Sequence, residues 1–209
     1  MTVAIFTHPP ECSAQSVNGI IAALPGISFK IFSKHPTEPS FYNDVDMIII
    51  PGGIGDASRY YRLLKYHQEN IRDFVRDGGY YLGICMGAYW AGKHFLNITP
   101  INPVQYIKRP GGDTRRPHAK VIPINWLGTH TDMFFYDGCS LLNTQEHTQI
   151  VARYFNGDAM AVIDKRVGLI GCHPEALPFL YHYYYYLRNK RFIDQHTRLK
   201  NFYDMLRNS

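Results

Sequence analysis

Four short apolar runs, separated by segments of helical spacing, constrain most strongly how this chain can fold. The runs cover residues 3–6, 29–32, 46–50 and 80–84. Between the first two, Val17, Ile20, Ile21 and Leu24 recur at the spacing of an amphipathic helix. Strands that alternate with helices pair in parallel through right-handed crossovers, with helices on both faces of the sheet. The pattern predicts an α/β fold with a mixed, mostly parallel central sheet flanked by helices.

The second half of the chain indicates antiparallel or mixed pairing. Strand-like runs follow one another between turn signals at residues 120–126, 132–136, 149–155, 159–164 and 167–172. Residues 156–158 (Asn-Gly-Asp) and 165–166 (Lys-Arg) suit tight hairpin turns. The proline-rich residues 97–118 predict a long loop, and such a loop in a compact domain is more often functional than idle.

Apolar stripes predict further helices. Asp56 or Ser58 is expected to cap one long helix whose buried face includes Tyr60, Leu64, His67, Ile71, Phe74 and Val75. Two C-terminal helices are expected within residues 177–207. Their stripes are Leu180, Tyr183, Tyr184 and Leu187, then Phe192, Leu199, Phe202, Tyr203 and Leu206. We expect both stripes to pack on the core of a single domain spanning residues 1–209.

Composition excludes several classes of function. The 209 residues are 45% hydrophobic and 19% charged, which is typical of a globular protein and argues against disorder. The net charge of +5 is scattered, which argues against nucleic-acid binding. No apolar run approaches the roughly 20 residues that span a bilayer, so no membrane segment is expected. Four cysteines without paired spacing predict free thiols and a cytoplasmic location.

The sequence Gly83-Ile-Cys85-Met-Gly87 is the first candidate for chemistry. It follows a predicted strand and opens a predicted helix, so Cys85 occupies a tight strand-to-helix turn like a nucleophile elbow. The turn is crowded, which favours glycine at the flanking positions. The helix start places N–H groups and a positive dipole end beside the sulfur and so favours the thiolate. A buried cysteine that only packs in the core is the alternative.

A possible base follows another predicted strand. His173 directly follows the run at 167–172. Glu175 lies two residues further on, where its carboxylate can orient the imidazole. Cys85, His173 and Glu175 therefore form a candidate catalytic triad. The N–H groups of Gly53 and Met86 form a candidate oxyanion hole, although Gly52-Gly53 can equally be a simple turn.

Other residues give weaker signals. Gly52, Tyr89 and Arg109 are predicted to contact substrate. Tyr89 can equally lie in the core, and a place on the surface as a solvated cation is the favoured alternative for Arg109. His118, His130, Asp132 and His147 lack metal-ligand spacing, so neither a metal nor a cofactor is expected.

Three motifs in this order resemble the class I glutamine amidotransferase-like superfamily. They are Pro51-Gly52-Gly53, Gly83-Ile-Cys85-Met-Gly87 and His173-Pro-Glu175. The strings at residues 78–92 and 152–158 are similar to the amidotransferase-like domain at the N-terminus of biotin–protein ligases, which also occurs as a stand-alone protein. The resemblance implies a flavodoxin-like sheet, with Cys85 as nucleophile, His173 as base and Glu175 as the orienting carboxylate.

Departures from the superfamily pattern argue against a true glutaminase subunit. Tyr89 stands where glutaminases usually have Gln, and the chain contains no synthetase domain and no biotin ligase catalytic domain. One hypothesis is a cysteine-dependent hydrolase or amidase that acts through a thioester on a small amide or peptide-like substrate. The other is a non-catalytic binding or regulatory module. Either hypothesis is compatible with a protein partner or with a homodimer.

Overall fold

The computed structural model describes residues 1–10, 12–188 and 195–209. Its α-helices are α1 (Ala14–Ala23), α2 (Ala57–Tyr60), α3 (Gln68–Arg76), α4 (Met86–Ala91), α5 (Phe179–Tyr183) and α6 (His196–Arg207). Its strands are β1 (Thr2–Phe6), β2 (Ser28–Phe32), β3 (Met47–Ile50), β4 (Tyr80–Ile84), β5 (Asn102–Gln105), β6 (Lys120–Trp126), β7 (Thr129–Phe135), β8 (Cys139–Leu142), β9 (Gln149–Tyr154), β10 (Ala159–Asp164) and β11 (Val167–Ile170). Single 3-10 turns occupy Pro39–Tyr42, Tyr61–Leu64, Tyr106–Lys108 and Tyr185–Leu187.

A mixed sheet runs through the described residues in the order β2-β1-β3-β4-β11-β10-β9-β6-β7. The strands from β2 to β11 are parallel. The pairs from β11 to β7 are antiparallel. The α/β fold with a mixed central sheet is therefore confirmed. The antiparallel hairpins turn at residues 156–158 and 165–166, as the turn signals predicted.

The core lies on both faces of this sheet. Helices α1 and α6 pack on one face, while α3 and α4 cover the other. All four residues of β3 are fully buried, because a strand covered on both faces has no solvent side. Burying an aliphatic side chain of this size contributes about 2 kcal/mol. This packing holds the carboxyl ends of β3, β4 and β11 together.

The single long helix predicted after residue 56 is wrong. The chain instead forms α2, a 3-10 turn and α3. Asp56 does cap the first piece, since its Oδ1 accepts a hydrogen bond of 2.8 Å from the Arg59 N–H. The last piece begins only after His67.

The buried ring of His67 provides the reason for the break. Its Nε2 lies 2.7 Å from the Ser33 carbonyl oxygen and 2.9 Å from that of His35. Its Nδ1 lies 3.0 Å from the Tyr42 hydroxyl oxygen. Two carbonyl acceptors require Nε2 to carry the proton, so Nδ1 accepts from Tyr42. These tertiary contacts hold residues 65–67 in a turn that helix periodicity does not reveal.

Two other predictions need correction. The stretch 97–118 contains β5, which pairs with β8 in a small separate sheet, so it is only partly loop. Tyr183 is 73% exposed, whereas the neighbouring Tyr181 is buried. The α6 stripe of Leu199, Phe202, Tyr203 and Leu206 is buried as predicted. Phe192 lies outside the described residues.

No helix in the described ranges is long and apolar enough to cross a membrane.

Candidate active site

Cys85 sits at a strained turn between β4 and α4. Its backbone has φ 48° and ψ −100°, a left-handed conformation that residues with a Cβ adopt rarely. Its N–H donates a 2.8 Å hydrogen bond to the carbonyl oxygen of Ile170, at the end of the adjacent β11. A Cβ on Gly83 would lie 2.5 Å from the Gly87 oxygen, and one on Gly87 would lie 2.1 Å from the Ile50 oxygen. The predicted need for glycine on both sides of Cys85 is confirmed.

His173 follows β11, and contacts to both its backbone and its ring hold it in place. Its N–H donates to the Phe134 carbonyl oxygen at 2.9 Å, and the two rings meet edge to face with centroids 6.2 Å apart. Its Nδ1 lies 2.9 Å from Oε1 of Glu175, which is only 1% exposed. A buried carboxylate in this position fixes the proton on Nδ1 and leaves Nε2 to face the cysteine.

Gly52 packs behind the imidazole. A Cβ at this position would lie 2.5 Å from Cε1 of His173 and 3.2 Å from Oε1 of Glu175. Gly52 was predicted to contact substrate. The structure gives it a packing contact with the His173–Glu175 pair instead.

The carbonyl oxygen of Tyr136 links the cysteine to the histidine. The Cys85 sulfur lies 3.6 Å from it, and Nε2 of His173 lies 3.3 Å from the same oxygen. Burial alone would lower the pKa of His173. The negative charges of Cys85 and Glu175, together with hydrogen bonds to both, outweigh burial and raise this pKa well above its ordinary 6.5. The three predicted triad residues thus lie in one electrostatically coupled group.

A cavity of about 510 Å3 opens over Cys85. Its lining includes three other predicted site residues, Gly53, Met86 and Tyr89. Because Met86 is the first residue of α4, its N–H has no helical acceptor four residues back. The placement of Gly53 and Met86 along the same cavity as Cys85 is compatible with the predicted oxyanion hole.

A second, smaller hollow of about 90 Å3 lies on the other side of the triad. His173 and Glu175 line it, together with Ser13 at the start of α1. Gly53 and Tyr136 line both hollows and so form part of the wall between them.

Asp137 also lines the Cys85 cavity, and sequence reasoning missed it. Its two carboxylate oxygens each lie 3.1 Å from the amide nitrogen of Gln105, another lining residue. Partial burial raises the pKa of Asp137, against the lowering effect of Gln105 and the more weakly acting Lys108. The signal that could have indicated it is an acidic residue followed by glycine directly after the predicted strand at 132–136.

The hydroxyl of Tyr89 is a further free polar group at this cavity. It is buried and has no hydrogen-bond partner within the described part of the chain. Burial, followed by the nearby charges of Cys139, Cys85 and Asp137, raises the pKa of Tyr89 far above 10. The side chain therefore stays neutral and can donate or accept one hydrogen bond.

Arg109 does not lie where the substrate prediction put it. Its guanidinium makes a bidentate ion pair with the Asp158 carboxylate, through Nε at 2.7 Å and Nη2 at 3.2 Å. Asp158 also accepts hydrogen bonds from Ser140 and Asn156. The described lining of the cavity does not include Arg109, because this pair ties it to the β9–β10 turn.

No group of three or more metal-ligating side chains converges within residues 1–10, 12–188 and 195–209.

Comparison with known proteins gives three informative sequence relatives. An uncharacterized protein of Chlamydia muridarum is 28% identical over 68% of this chain and 64% of its own length. The biotin–protein ligase of Schizosaccharomyces pombe is 29% identical over 62% of this chain, but over only 25% of the ligase. The phosphoribosylformylglycinamidine synthase subunit PurQ of Helicobacter hepaticus is 25% identical over 74% of this chain and 75% of the subunit. The chain therefore spans less than two thirds of the first two relatives.

Solved structures share the fold over most of the chain. A crystal structure of a glutamine amidotransferase superposes with a TM-score of 0.65 at 18% identity, covering 88% of this chain and 97% of the other. A glutamine amidotransferase of Thermotoga maritima gives a TM-score of 0.63 at 14% identity, covering 100% and 92%. Residues 23–97 match the family described as Biotin-protein ligase, N terminal. The resemblance is confirmed: the chain has a class I glutamine amidotransferase-like fold, and its residues 23–97 match the N-terminal domain family of biotin–protein ligases.

Proposed function

We propose that this protein is a cysteine-dependent amide hydrolase with Cys85 as nucleophile, His173 as general base and acid, and Glu175 as the carboxylate that orients His173. The observation that carries the proposal is the position of the imidazole. It lies between a buried carboxylate 2.9 Å away and the strained turn that presents Cys85 to a cavity. Such an arrangement has the geometry of a nucleophile–base–orienter set.

The proposed reaction has two steps. The Cys85 sulfur attacks the amide carbonyl, and the N–H groups of Gly53 and Met86 stabilise the oxyanion. His173 takes the proton of the Cys85 thiol as the sulfur attacks, and the C–N bond then breaks as Nε2 gives this proton to the leaving amine, which leaves a thioester. In the second step His173 takes a proton from water, which attacks the thioester and releases the carboxylic acid and the free thiol. The names of the two structural relatives, both glutamine amidotransferases, support amide chemistry at such a site.

The position and charge of His173 predict how Cys85 should react with alkylating agents. Because the pKa of His173 is raised, its ring is positively charged near neutral pH and can assist attack by the adjacent sulfur, so removing the ring should slow alkylation. At about pH 6.5, we expect iodoacetamide to modify Cys85 at least roughly tenfold faster in the parent protein than in His173→Ala. Rates would be measured by mass spectrometry of the Cys85 peptide across a pH series.

The same experiment contains its own controls. Cys139 and Cys172 are fully buried, and burial raises the pKa of both thiols, so they should react slowly at every pH tested. Glu175→Gln keeps the side-chain volume and should give a rate between those of the parent and His173→Ala. A Cys85 that reacts no faster than Cys139, or a rate unaffected by His173→Ala, would overturn the proposal.

A non-catalytic binding module is the second candidate. The observation that favours it is that the family match ends at residue 97 and so includes Cys85 but excludes His173 and Glu175. It predicts that no acyl-enzyme forms on Cys85 with any activated ester or amide, even in Glu175→Gln. Detection of a Cys85 thioester by intact-mass analysis would contradict it.

A further inference from the structure

We infer that the Cys85 cavity is built for an amide whose substituent carries a positive charge, with Asp137 as the residue that holds the cation. This inference rests on the proposed amide hydrolase and names the substrate class of the same site. It distinguishes a cationic amide from a neutral or anionic one.

The charge of the cavity wall is the first argument. Of the side chains described along it, Asp56 and Asp137 bear full charges, and both are negative. No lysine, arginine or histidine is among these lining residues. Arg109, the cation that the sequence placed near substrate, is neutralised by Asp158. An anionic substituent would therefore meet only repulsion from the charged side chains that line this space.

The hydrogen bonding of Asp137 is the second argument. An ionised carboxylate offers about four acceptor positions. Within the described residues, Asp137 receives only the shared Gln105 amide, and it makes no ion pair. Gln105 thus holds the carboxylate in place and leaves acceptor capacity free. An ammonium or guanidinium group in the cavity would complete it with a charge-assisted hydrogen bond.

The hydroxyl of Tyr89 is the third argument, and it is independent of charge. The hydroxyl oxygen is buried and lacks a partner in the described chain, and Tyr89 is one of the residues that line the same cavity. A buried hydroxyl without a partner is costly, so a polar ligand group is expected to satisfy it. Because the side chain is neutral, Tyr89 can accept from an ammonium or donate to the amide oxygen. The wall thus offers one charged and one neutral contact close to the nucleophile.

Three matched alkylating probes test the inference. They are N-(2-aminoethyl)-2-chloroacetamide, N-(2-hydroxyethyl)-2-chloroacetamide and N-(chloroacetyl)glycine, which are cationic, neutral and anionic. In each case the sulfur forms a C–S bond as chloride leaves. After correction for their rates with a small free thiol, we expect the cationic probe to modify Cys85 about tenfold faster than the neutral one. The anionic probe should be slowest.

Asp137→Asn should remove the preference, bringing the cationic-to-neutral rate ratio close to one. Asp73→Asn is the matched control, since it makes the same change in net charge at an exposed position on α3. It should retain the full ratio. A ratio near one in the parent protein, or a ratio that Asp137→Asn leaves intact, would overturn the inference.

Failure of the hydrolase proposal gives a different pattern. If Cys85 reacts with none of the probes, the proposed chemistry fails and the cation site is decided by binding. Calorimetric titration with N-acetylethylenediamine and with its neutral analogue N-acetylethanolamine provides that measurement. Tighter binding of the cation that Asp137→Asn weakens about tenfold would support the site. Equal or absent binding of both compounds would overturn it.

Discussion

Close backbone approach around three glycines sets the positions of Cys85 and His173. Gly83 and Gly87 let the turn after β4 pack against itself and against β3, and Gly52 leaves room for the imidazole. The contacts differ in what could yield. Gly87 faces a backbone oxygen, whereas Gly52 faces a side chain that can shift. A methyl group at Gly52 should therefore change reactivity more than stability.

We predict that Gly52→Ala slows iodoacetamide modification of Cys85 about tenfold or more, because the new Cβ displaces the imidazole from its position. Unfolding in denaturant should show a loss of about 1–3 kcal/mol, as for other overpacked cores. Gly112→Ala is the control, since its Cβ would come no nearer than 3.3 Å to any neighbouring atom. A Gly52→Ala protein with unchanged Cys85 reactivity would show that the imidazole does not act on the sulfur.

At the scale of secondary-structure elements, a short strand pair and an ion pair hold the segment beside the cavity in place. Residues 97–118 are held by β5, which pairs with β8, and by the Arg109–Asp158 ion pair. Hydrogen bonds to Asp158 outweigh its burial and lower its pKa. The stability that this carboxylate contributes is therefore present above its unfolded pKa of about 3.8 and is lost as pH falls through the folded value.

Asp158→Asn should loosen residues 97–118 without unfolding the sheet. The substitution removes the charge of the pair and weakens the contacts to Ser140 and Asn156. Hydrogen–deuterium exchange should become faster in residues 97–118 and stay unchanged in β4 and β11. Asp204→Asn, which breaks an exposed pair with Lys200 on α6, should not alter exchange in residues 97–118. Equal exchange in Asp158→Asn and the parent would show that the Arg109–Asp158 ion pair is not needed to hold residues 97–118.

Particular elements show how far sequence reasoning reaches. The strands β4, β6 and β10 were predicted with the observed bounds, because continuous or alternating apolar runs between turn residues determine them locally. The strands β5 and β8 were missed, because they are short and pair only with each other. The break before α3 depends on carbonyls more than thirty residues upstream of His67. No local pattern contains that information.

The candidate site likewise contains some residues that the sequence could indicate and others that it could not. Cys85, His173 and Glu175 follow directly from strand ends and spacing, so the sequence could indicate them. Asp137 and the Tyr136 carbonyl reach the cavity only because β7 brings them there, and that register is a property of the folded sheet.

Across the whole molecule, two buried histidines should shape the pH dependence of stability in opposite directions. Burial lowers the pKa of His67, although its hydrogen bonds to Ser33 and His35 oppose the shift. The stability linked to His67 is present above pH 6.5 and is lost as pH falls through its folded pKa. The pKa of His173 is raised, so its linked stability is present below pH 6.5 and is lost as pH rises through its folded pKa.

Stability measured in denaturant from about pH 5 to about pH 9 should therefore fall on both sides of an intermediate optimum. His67→Gln should flatten the acid side, although it lowers stability at every pH by roughly 2 kcal/mol through its lost hydrogen bonds. His173→Gln should flatten the alkaline side. Parallel curves for the parent and either variant would rule out the assigned protonation states.

The position of β11 in the sheet has a consequence for the timing of synthesis. This strand is made 83 residues after the end of β4, yet it lies between β4 and β10 and joins the parallel half to the antiparallel half. While a ribosome is still translating the middle of the chain, Cys85 exists without His173, beside an open sheet edge. A nascent chain can gain the proposed reactivity only when residues 167–175 have left the exit tunnel and entered the sheet. Completion of the sheet and onset of the proposed reactivity are therefore the same event.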